Sequence, residues 1–164
     1  MIISIDGVAG AGKTTLAKFI FEEFSSRSTV FIIHMDDLYE GWRHSLGPTL
    51  SEKLKNIAQA HNSGEAISIS AYDWDNSRPG SNFTVPNVET LIIEGVGSGQ
   101  RAIREFVDTK IWIELEPIVG LRRVLQRDGE QIESEMLLFL QEQARHFMEE
   151  GTREAADFHL NGLN

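Results

Sequence analysis

Apolar and polar residues alternate along the chain in a pattern that predicts strands separated by helices. Short runs rich in β-branched residues are typical of buried strands. These runs are residues 1–5, 29–34, 91–93 and 111–115. Longer stretches with apolar residues at helical spacing predict helices. They are residues 13–24, 48–64, 101–107, 117–128 and 132–150.

The remaining segments are shorter or more polar. Residues 66–72 alternate like a strand, and residues 155–160 have the pattern of a last edge strand. Residues 73–86 are polar and contain Pro79-Gly80, which predicts a long loop. Because long loops are unusual in compact domains and often functional, this one is a candidate part of a site.

The order of strands and helices predicts an α/β fold with a mostly parallel sheet. The chain has 164 residues, of which 41% are hydrophobic, and it contains no internal repeat or linker. Residues 1–164 are therefore expected to form a single domain.

Composition excludes several classes of function. The absence of cysteine excludes a disulfide framework, a thiolate metal site and a cysteine nucleophile. The net charge of −10 argues against partners such as nucleic acid or an anionic membrane, because the overall field repels phosphate. No apolar run approaches a membrane span and no signal peptide is evident, so a cytoplasmic location is expected. The sequence does not distinguish a monomer from a homo-oligomer.

A glycine-rich segment between the first strand and the first helix matches the pattern G-x-x-x-x-G-K-[ST]. Such a loop turns its backbone N–H groups toward an anion, and the start of the helix adds a positive field. Lys13 would reach the β- and γ-phosphates of a nucleotide and Thr14 would ligate Mg²⁺. The alternative is a glycine-rich turn that is followed by Lys-Thr by chance. The predicted nucleotide-binding residues are Gly7, Val8, Ala9, Gly10, Ala11, Gly12, Lys13, Thr14 and Thr15.

This segment resembles the Walker A loop of the P-loop NTPase superfamily. The resemblance implies a parallel sheet of about five strands with helices on both faces. The chain lacks an N-K-x-D base-reading motif and an S-G-G-Q-like transporter signature. A small-molecule kinase or a nucleotide-hydrolysing switch therefore remains.

Carboxylates follow two of the predicted strands. Asp36 and Asp37 come after residues 29–34, where one of them could accept a proton from a substrate hydroxyl. Glu94 comes directly after residues 91–93, which is the position of a Walker B acid that binds Mg²⁺. The alternative for both groups is an ordinary polar turn.

A more specific resemblance is to the uridine kinase family of nucleoside kinases. It is carried by residues 7–15, Asp-Asp-Leu-Tyr at 36–39, Tyr-Asp-Trp at 72–74, Ser77-Arg78 and Ile-Glu-Gly at 93–95. The family implies Asp36 as catalytic base, Glu94 near Mg²⁺, and Tyr39, Tyr72 and Arg78 near the acceptor nucleoside. The chain departs from the family where Asp75-Asn76 occupy the usual place of a histidine.

Arginines and aromatic residues supply the other candidates. Arg123 and Arg127 share one face of a predicted helix and could neutralise charge on the transferred phosphoryl group, with Arg122 as a further nucleotide contact. Residues 122–131 would form a short lid; the alternative is a solvated basic face. Trp74 belongs to the predicted loop, where it could stack on a substrate or cap the core.

The sequence thus predicts an enzyme that uses ATP and Mg²⁺ to phosphorylate a hydroxyl of a small molecule, with a nucleoside as first candidate. One alternative is a kinase for another acceptor, such as a sugar acid, a vitamin precursor or a nucleoside monophosphate. The other is an ATP-binding switch that phosphorylates no small molecule.

Overall fold

The computed structural model describes residues 1–74 and 76–162 as an α/β fold with a five-stranded sheet and a separate two-stranded hairpin. The strands are β1 (Ile2–Gly7), β2 (Val30–His34), β3 (Ile67–Asp73), β4 (Arg78–Val85), β5 (Thr90–Glu94), β6 (Thr109–Glu114) and β7 (Phe158–Asn161). The α-helices are α1 (Lys13–Ser25), α2 (Pro48–Asn62), α3 (Pro117–Asp128) and α4 (Glu133–Glu150). Short 3-10 helices lie at Met35–Asp37, Arg101–Phe106 and Glu130–Ile132.

The main sheet is parallel throughout, in the order β2-β5-β1-β6-β7, which confirms the predicted fold class. Glu94 at the end of β5 is in register with Ile5 of β1 on one side and with His34 of β2 on the other. The carboxyl ends of β2 and β5 are therefore level, and β1 extends two residues further in the same direction. The segments that follow the three strands meet at one edge of the sheet.

The two faces of the sheet are covered by different helices. Ile3 and Ile5 of β1 are buried in a cluster with Ala17 of α1. Ile2 belongs to a second cluster on the opposite face, which includes Leu54 of α2. Successive side chains of a strand point to opposite faces, so the continuous apolar run at 1–5 has the pattern of a strand that is buried on both sides.

The expectation of a loop over residues 73–86 is wrong, because β4 pairs antiparallel with β3. Asp73 pairs with Arg78, so the chain reverses between these two residues, and Ser77 there has a φ of 50°. Pro79 lies inside β4 opposite Tyr72. Proline lacks a backbone donor and is tolerated in an edge strand, which is why Pro79-Gly80 was a misleading turn signal.

The apolar residues of α4 predicted only part of the face that this helix buries in the structure. The sequence suggests a face made of Met136, Leu137, Leu140, Ala144 and Phe147. The buried residues are Met136, Phe139, Gln143 and His146, whereas the side chain of Leu137 is 46% exposed. Gln143 takes the place of an aliphatic residue because its side chain accepts a hydrogen bond from the backbone N–H of Ala9 in the loop after β1.

Asp6, at the end of β1, joins two loops through its buried carboxylate. The carboxylate accepts hydrogen bonds from the backbone N–H groups of Gly7 (2.7 Å), Gly97 (3.0 Å) and Gly99 (2.9 Å). Burial raises the pKa of Asp6, and these hydrogen bonds together with the charge of Lys13 oppose that rise. Asp6 thereby fixes the segment after β5 against the loop after β1.

None of the helices in residues 1–74 and 76–162 has the length and apolar character that a membrane-spanning helix needs.

Replacing Asp6 with alanine is expected to destabilise the fold by roughly 3 kcal/mol or more, because three backbone N–H groups lose their acceptor and cannot all reach water. Urea unfolding followed by far-UV circular dichroism measures the loss. Asp157→Ala is the matched control, since Asp157 is an exposed carboxylate that accepts one backbone N–H, that of Lys110. A loss in Asp6→Ala that is no larger than the loss in the control would contradict the expected contribution of the three hydrogen bonds.

Candidate functional site

A cavity of about 600 Å³ lies at the carboxyl edge of the main sheet. Its walls come from the loop after β1, the 3-10 helix after β2, the segment after β5 and the facing sides of α3 and α4. In parallel α/β sheets, ligands bind outside the carboxyl ends of the strands. Both the volume and the position are those of a site for small molecules.

The loop after β1 turns through backbone conformations that favour glycine. Gly10 and Gly12 have φ values of 78° and 95°. A Cβ atom on Gly10 would overlap the backbone of Gly120 in α3, and one on Gly120 would overlap the carbonyl of Ala9. Glycine is therefore required at position 120, although this position lies inside helix α3, because a side chain there would prevent α3 from packing against the loop. The sequence alone did not identify Gly120 as part of the site.

The first turn of α1 begins inside the cavity. Ala9, Gly10, Gly12, Lys13, Thr14 and Thr15 line it, whereas Gly7, Val8 and Ala11 are buried behind it. The first N–H groups of a helix have no acceptor within the helix and carry its positive end. This part of the loop can therefore bind a phosphate group.

Lys13 is buried, and its ammonium donates hydrogen bonds to the carbonyls of Gly7 and Val8, each at 2.8 Å. Burial lowers the pKa of Lys13, while the nearby carboxylates of Asp6, Glu94 and Asp36 oppose that change. The two carbonyls and the nearby carboxylates hold the buried ammonium at the loop. The negative charge of a bound phosphate would stabilise the ammonium further.

Thr14 and Glu94 form the candidate magnesium site. The hydroxyl of Thr14 donates to Oε1 of Glu94 at 2.9 Å, and Nδ1 of His34 lies 2.5 Å from the same oxygen. This contact with Glu94 raises the pKa of His34. Within residues 1–74 and 76–162, no cluster of three or more metal-binding side chains occurs. A hydroxyl and one carboxylate fit Mg²⁺, which takes most of its ligands from water and nucleotide phosphates.

Asp36 and Asp37 occupy the 3-10 helix that follows β2, and both line the cavity. The carboxyl group of Asp36 opens into the cavity, so solvent reaches it although protein surrounds it on most sides. This enclosure, together with the charge of Glu94, raises the pKa of Asp36. Partial burial also raises the pKa of Asp37, and the charge of His34 opposes that rise.

The three arginines of α3 differ in position. Arg123 lines the cavity, and its guanidinium donates to the carbonyls of Gly162 at 2.7 Å and Gly10 at 3.4 Å. Arg127 lines the cavity too and is paired with Asp128. Arg122 is exposed and is not among the residues that line the cavity, so the prediction that it contacts nucleotide gains no support.

Aromatic residues form the wall beyond Asp36. Trp42 and Trp74 line the cavity with their rings 5.1 Å apart, and the indole N–H of Trp74 donates to the carbonyl of Asp36 at 3.1 Å. Tyr39 is buried in the same wall, with its hydroxyl donating to the carbonyl of Val96 at 2.8 Å. The hairpin of β3 and β4 thus brings Trp74 to the residues after β2.

Two predicted acceptor-binding residues lie outside this wall. Tyr72 packs edge-on against Trp74 with ring centroids 5.1 Å apart, and it supports that ring from behind. The side chain of Arg78 is 70% exposed and lies 3.9 Å from the carboxylate of Asp73. Asp75, which takes the place of the family histidine, lies outside the described residues.

Sequence reasoning missed four residues that hold the site together: Asp6, Gly120, Glu142 and Gln143. Glu142 and Gln143 act through side chains that accept hydrogen bonds from loop N–H groups. One signal was present for two of the four. Asp6 is an acidic residue at the end of a buried strand, and Gln143 is an amide on the buried face of a helix. Buried polar groups in such positions are usually hydrogen-bonded, and here the partners are loop backbones.

Comparison with known proteins gives related kinases. The chain is 29% identical over 136 residues to cytidylate kinase from Methanococcoides burtonii, which covers 83% of this chain and 68% of the relative. It is 28% identical over 145 residues to uridine kinase from Halalkalibacterium halodurans, which covers 78% of this chain and 67% of the relative. No family model matches the chain.

A solved structure of similar fold is described as a possible uridine kinase from Bacillus stearothermophilus. The TM-score is 0.72 at 20% identity, and the match covers 98% of this chain and 88% of the other. This likeness confirms the predicted fold, and the sequence relatives confirm the predicted kinase class. The chain is a small-molecule kinase.

Proposed function

We propose that the protein transfers the γ-phosphate of ATP to a hydroxyl of a neutral nucleoside, with Lys13, Asp36, Arg123 and Arg127 as its catalytic residues. One observation carries the proposal. The phosphate loop, the carboxylate of Asp36 and the Trp42–Trp74 wall all face the same cavity of about 600 Å³. A donor phosphate and an aromatic acceptor can therefore meet beside a base.

On the donor side, the loop binds the phosphates through its backbone N–H groups and the start of α1. Lys13 adds a positive charge there. Thr14 and Glu94 would hold Mg²⁺, which neutralises charge on the phosphate oxygens when it is bound. Arg123 and Arg127 face the cavity from α3, where their charges oppose the negative charge that develops on the transferred group.

On the acceptor side, Asp36 orients the acceptor hydroxyl and takes its proton as the oxygen attacks the γ-phosphorus. ADP leaves with the electron pair of the broken bond. Trp42 and Trp74 offer aromatic faces on which a planar base can stack, and Tyr39 lines the cavity beside them. Catalysis then consists mainly of positioning and charge stabilisation.

The charge of the cavity favours a neutral acceptor over a nucleoside monophosphate. Among the described residues, the cationic side chains that line the cavity are Lys13, Arg123 and Arg127, and all three face the phosphate loop or belong to α3 beside it. Arg43 and Arg78, the loop arginines that could have bound an acceptor phosphate, are exposed and line no part of the cavity. A second phosphate would have to lie beside Asp36 and Asp37.

Removal of the Lys13 charge tests the donor side. Lys13→Ala is expected to lower kcat/KM for ATP by about two to three orders of magnitude, because a preorganised charge at the transferred phosphate is lost. Lys18→Ala is the matched control, since Lys18 is an exposed lysine of the same helix. A Lys13→Ala enzyme that stays folded and keeps the control's kcat/KM would contradict the assigned role.

Paired substitutions identify the base. Asp36→Asn is expected to lower kcat by about 10²–10⁴-fold, because proton acceptance is lost. Asp37→Asn is expected to have a much smaller effect. In the wild-type enzyme, activity should fall as the pH drops through the pKa of Asp36, because the protonated carboxyl cannot accept a proton. The raised pKa places this loss above the ordinary value of 3.8. A larger loss in Asp37→Asn would make Asp37 the base.

An acceptor panel tests the substrate class. With ATP as donor, neutral nucleosides are expected to give a kcat/KM at least about tenfold above that of the matching monophosphates, since an acceptor phosphate near Asp36 is repelled. ADP formation is measured for nucleosides, nucleoside monophosphates, sugar acids and vitamin precursors. Preference for a monophosphate or a sugar acid would overturn the nucleoside proposal. ATP hydrolysis that no acceptor stimulates would indicate a switch instead.

A further inference from the structure

Helix α4 contacts the two halves of the cavity through adjacent residues. Gln143 is buried, with 2% of its surface exposed, and its Oε1 accepts the N–H of Ala9 in the phosphate loop at 2.8 Å. The carboxylate of Glu142 accepts the N–H groups of His44 at 3.1 Å and Leu46 at 2.9 Å. One helix therefore fixes the backbone of the phosphate loop, on the donor side of the cavity, and the backbone of residues 44–46, on the acceptor side.

The Gln143 contact completes the support of the phosphate loop. On one side of the loop, Gly10 packs against Gly120 of α3 with no room for a side chain. On the other side, Gln143 fixes the N–H of Ala9, the residue just before Gly10. An apolar side chain at position 143 would leave this N–H without its partner, and the loop would lose one of the contacts that support it.

The Glu142 contact fixes the segment that carries the acceptor wall. His44 has a φ of 58°, which is uncommon for a residue with a side chain and is maintained only by surrounding contacts. Both oxygens of Glu142 hold the backbone at and just after this residue. Trp42, two residues earlier, lines the cavity. One turn before Glu142, the ring of Phe139 packs against Tyr39 with centroids 5.8 Å apart.

We propose, on the basis of the proposed function, that Glu142 and Gln143 are positioning residues that set the distance between acceptor and phosphate loop. Neighbouring residues of a helix point about 100° apart, so one rigid element can hold two walls at a constant separation. Gln143 positions the donor side and Glu142 positions the acceptor side. Each is expected to control a different Michaelis constant.

Methionine substitutions separate the two effects, because methionine has a similar length and lacks a strong acceptor oxygen. Gln143→Met is expected to weaken ATP binding about tenfold, with the KM of the acceptor unchanged within about twofold. Glu142→Met is expected to raise the KM of the acceptor about tenfold and to leave ATP affinity unchanged. In each variant kcat should change less than the affected constant. Calorimetry gives ATP affinity, and steady-state kinetics give the other constants.

Gln141→Met is the matched control, since Gln141 is the exposed neighbour on the same helix. The proposal is overturned if both variants change the two constants together, or if neither differs from this control. Where a methionine variant does not fold, Gln143→Asn or Glu142→Asp replaces it, since each keeps the accepting group but shortens its reach. The same criteria apply to these variants.

Failure of the proposed function gives a different result. A wild-type protein that binds ATP but phosphorylates no acceptor overturns the nucleoside kinase proposal. The Gln143 effect is then still measured by ATP calorimetry. The Glu142 effect is measured from tryptophan emission, which Glu142→Met should change through Trp42 and which Gln143→Met should leave unaltered. Identical emission in both variants would overturn the positioning roles.

Discussion

The burial of Lys13 in an acidic protein is the constraint on which the site depends. Desolvation opposes the charged ammonium, and the surrounding groups that favour it are two loop carbonyls and the carboxylates of Asp6, Glu94 and Asp36. The same charge arrangement explains how a chain of net charge −10 can bind a polyphosphate. The attraction is local, because it comes from one ammonium, one helix start and inward-facing N–H groups, whereas the overall field repels phosphate.

The order of strands brings these groups together. Since β1 lies beside β5, and β5 lies beside β2, the three loops that leave the carboxyl ends of these strands lie next to one another. Lys13, Glu94 and Asp36 lie at or near these loops. Asp6 then fixes two of these loops to each other, and Gly95 lets the third approach closely, because a Cβ atom there would overlap Met35. The sheet positions the loops, and buried polar contacts hold them at a fixed distance.

The sequence predicted the parts of the site that are local. The phosphate loop is a contiguous motif, and Asp36 and Glu94 could be placed because each directly follows an apolar strand and parallel strands end at one edge. The β3–β4 hairpin was missed, since Pro79-Gly80 resembles a turn and only pairing with a distant strand makes it part of β4. The supports were missed for the same reason. Gln143 acts on Ala9 across 134 positions of sequence, and no local pattern encodes such a contact.

The contact between Gln143 and the N–H of Ala9 explains why a polar residue occurs on the inner face of α4. Met136 and Phe139 are among the other buried residues of that face. A helix with only apolar residues there could slide against the loops, because dispersion contacts have little directionality. Hydrogen bonds to particular N–H groups permit a single arrangement. Phosphoryl transfer requires donor and acceptor oxygens in line, so a fixed spacing between the loops serves this chemistry directly.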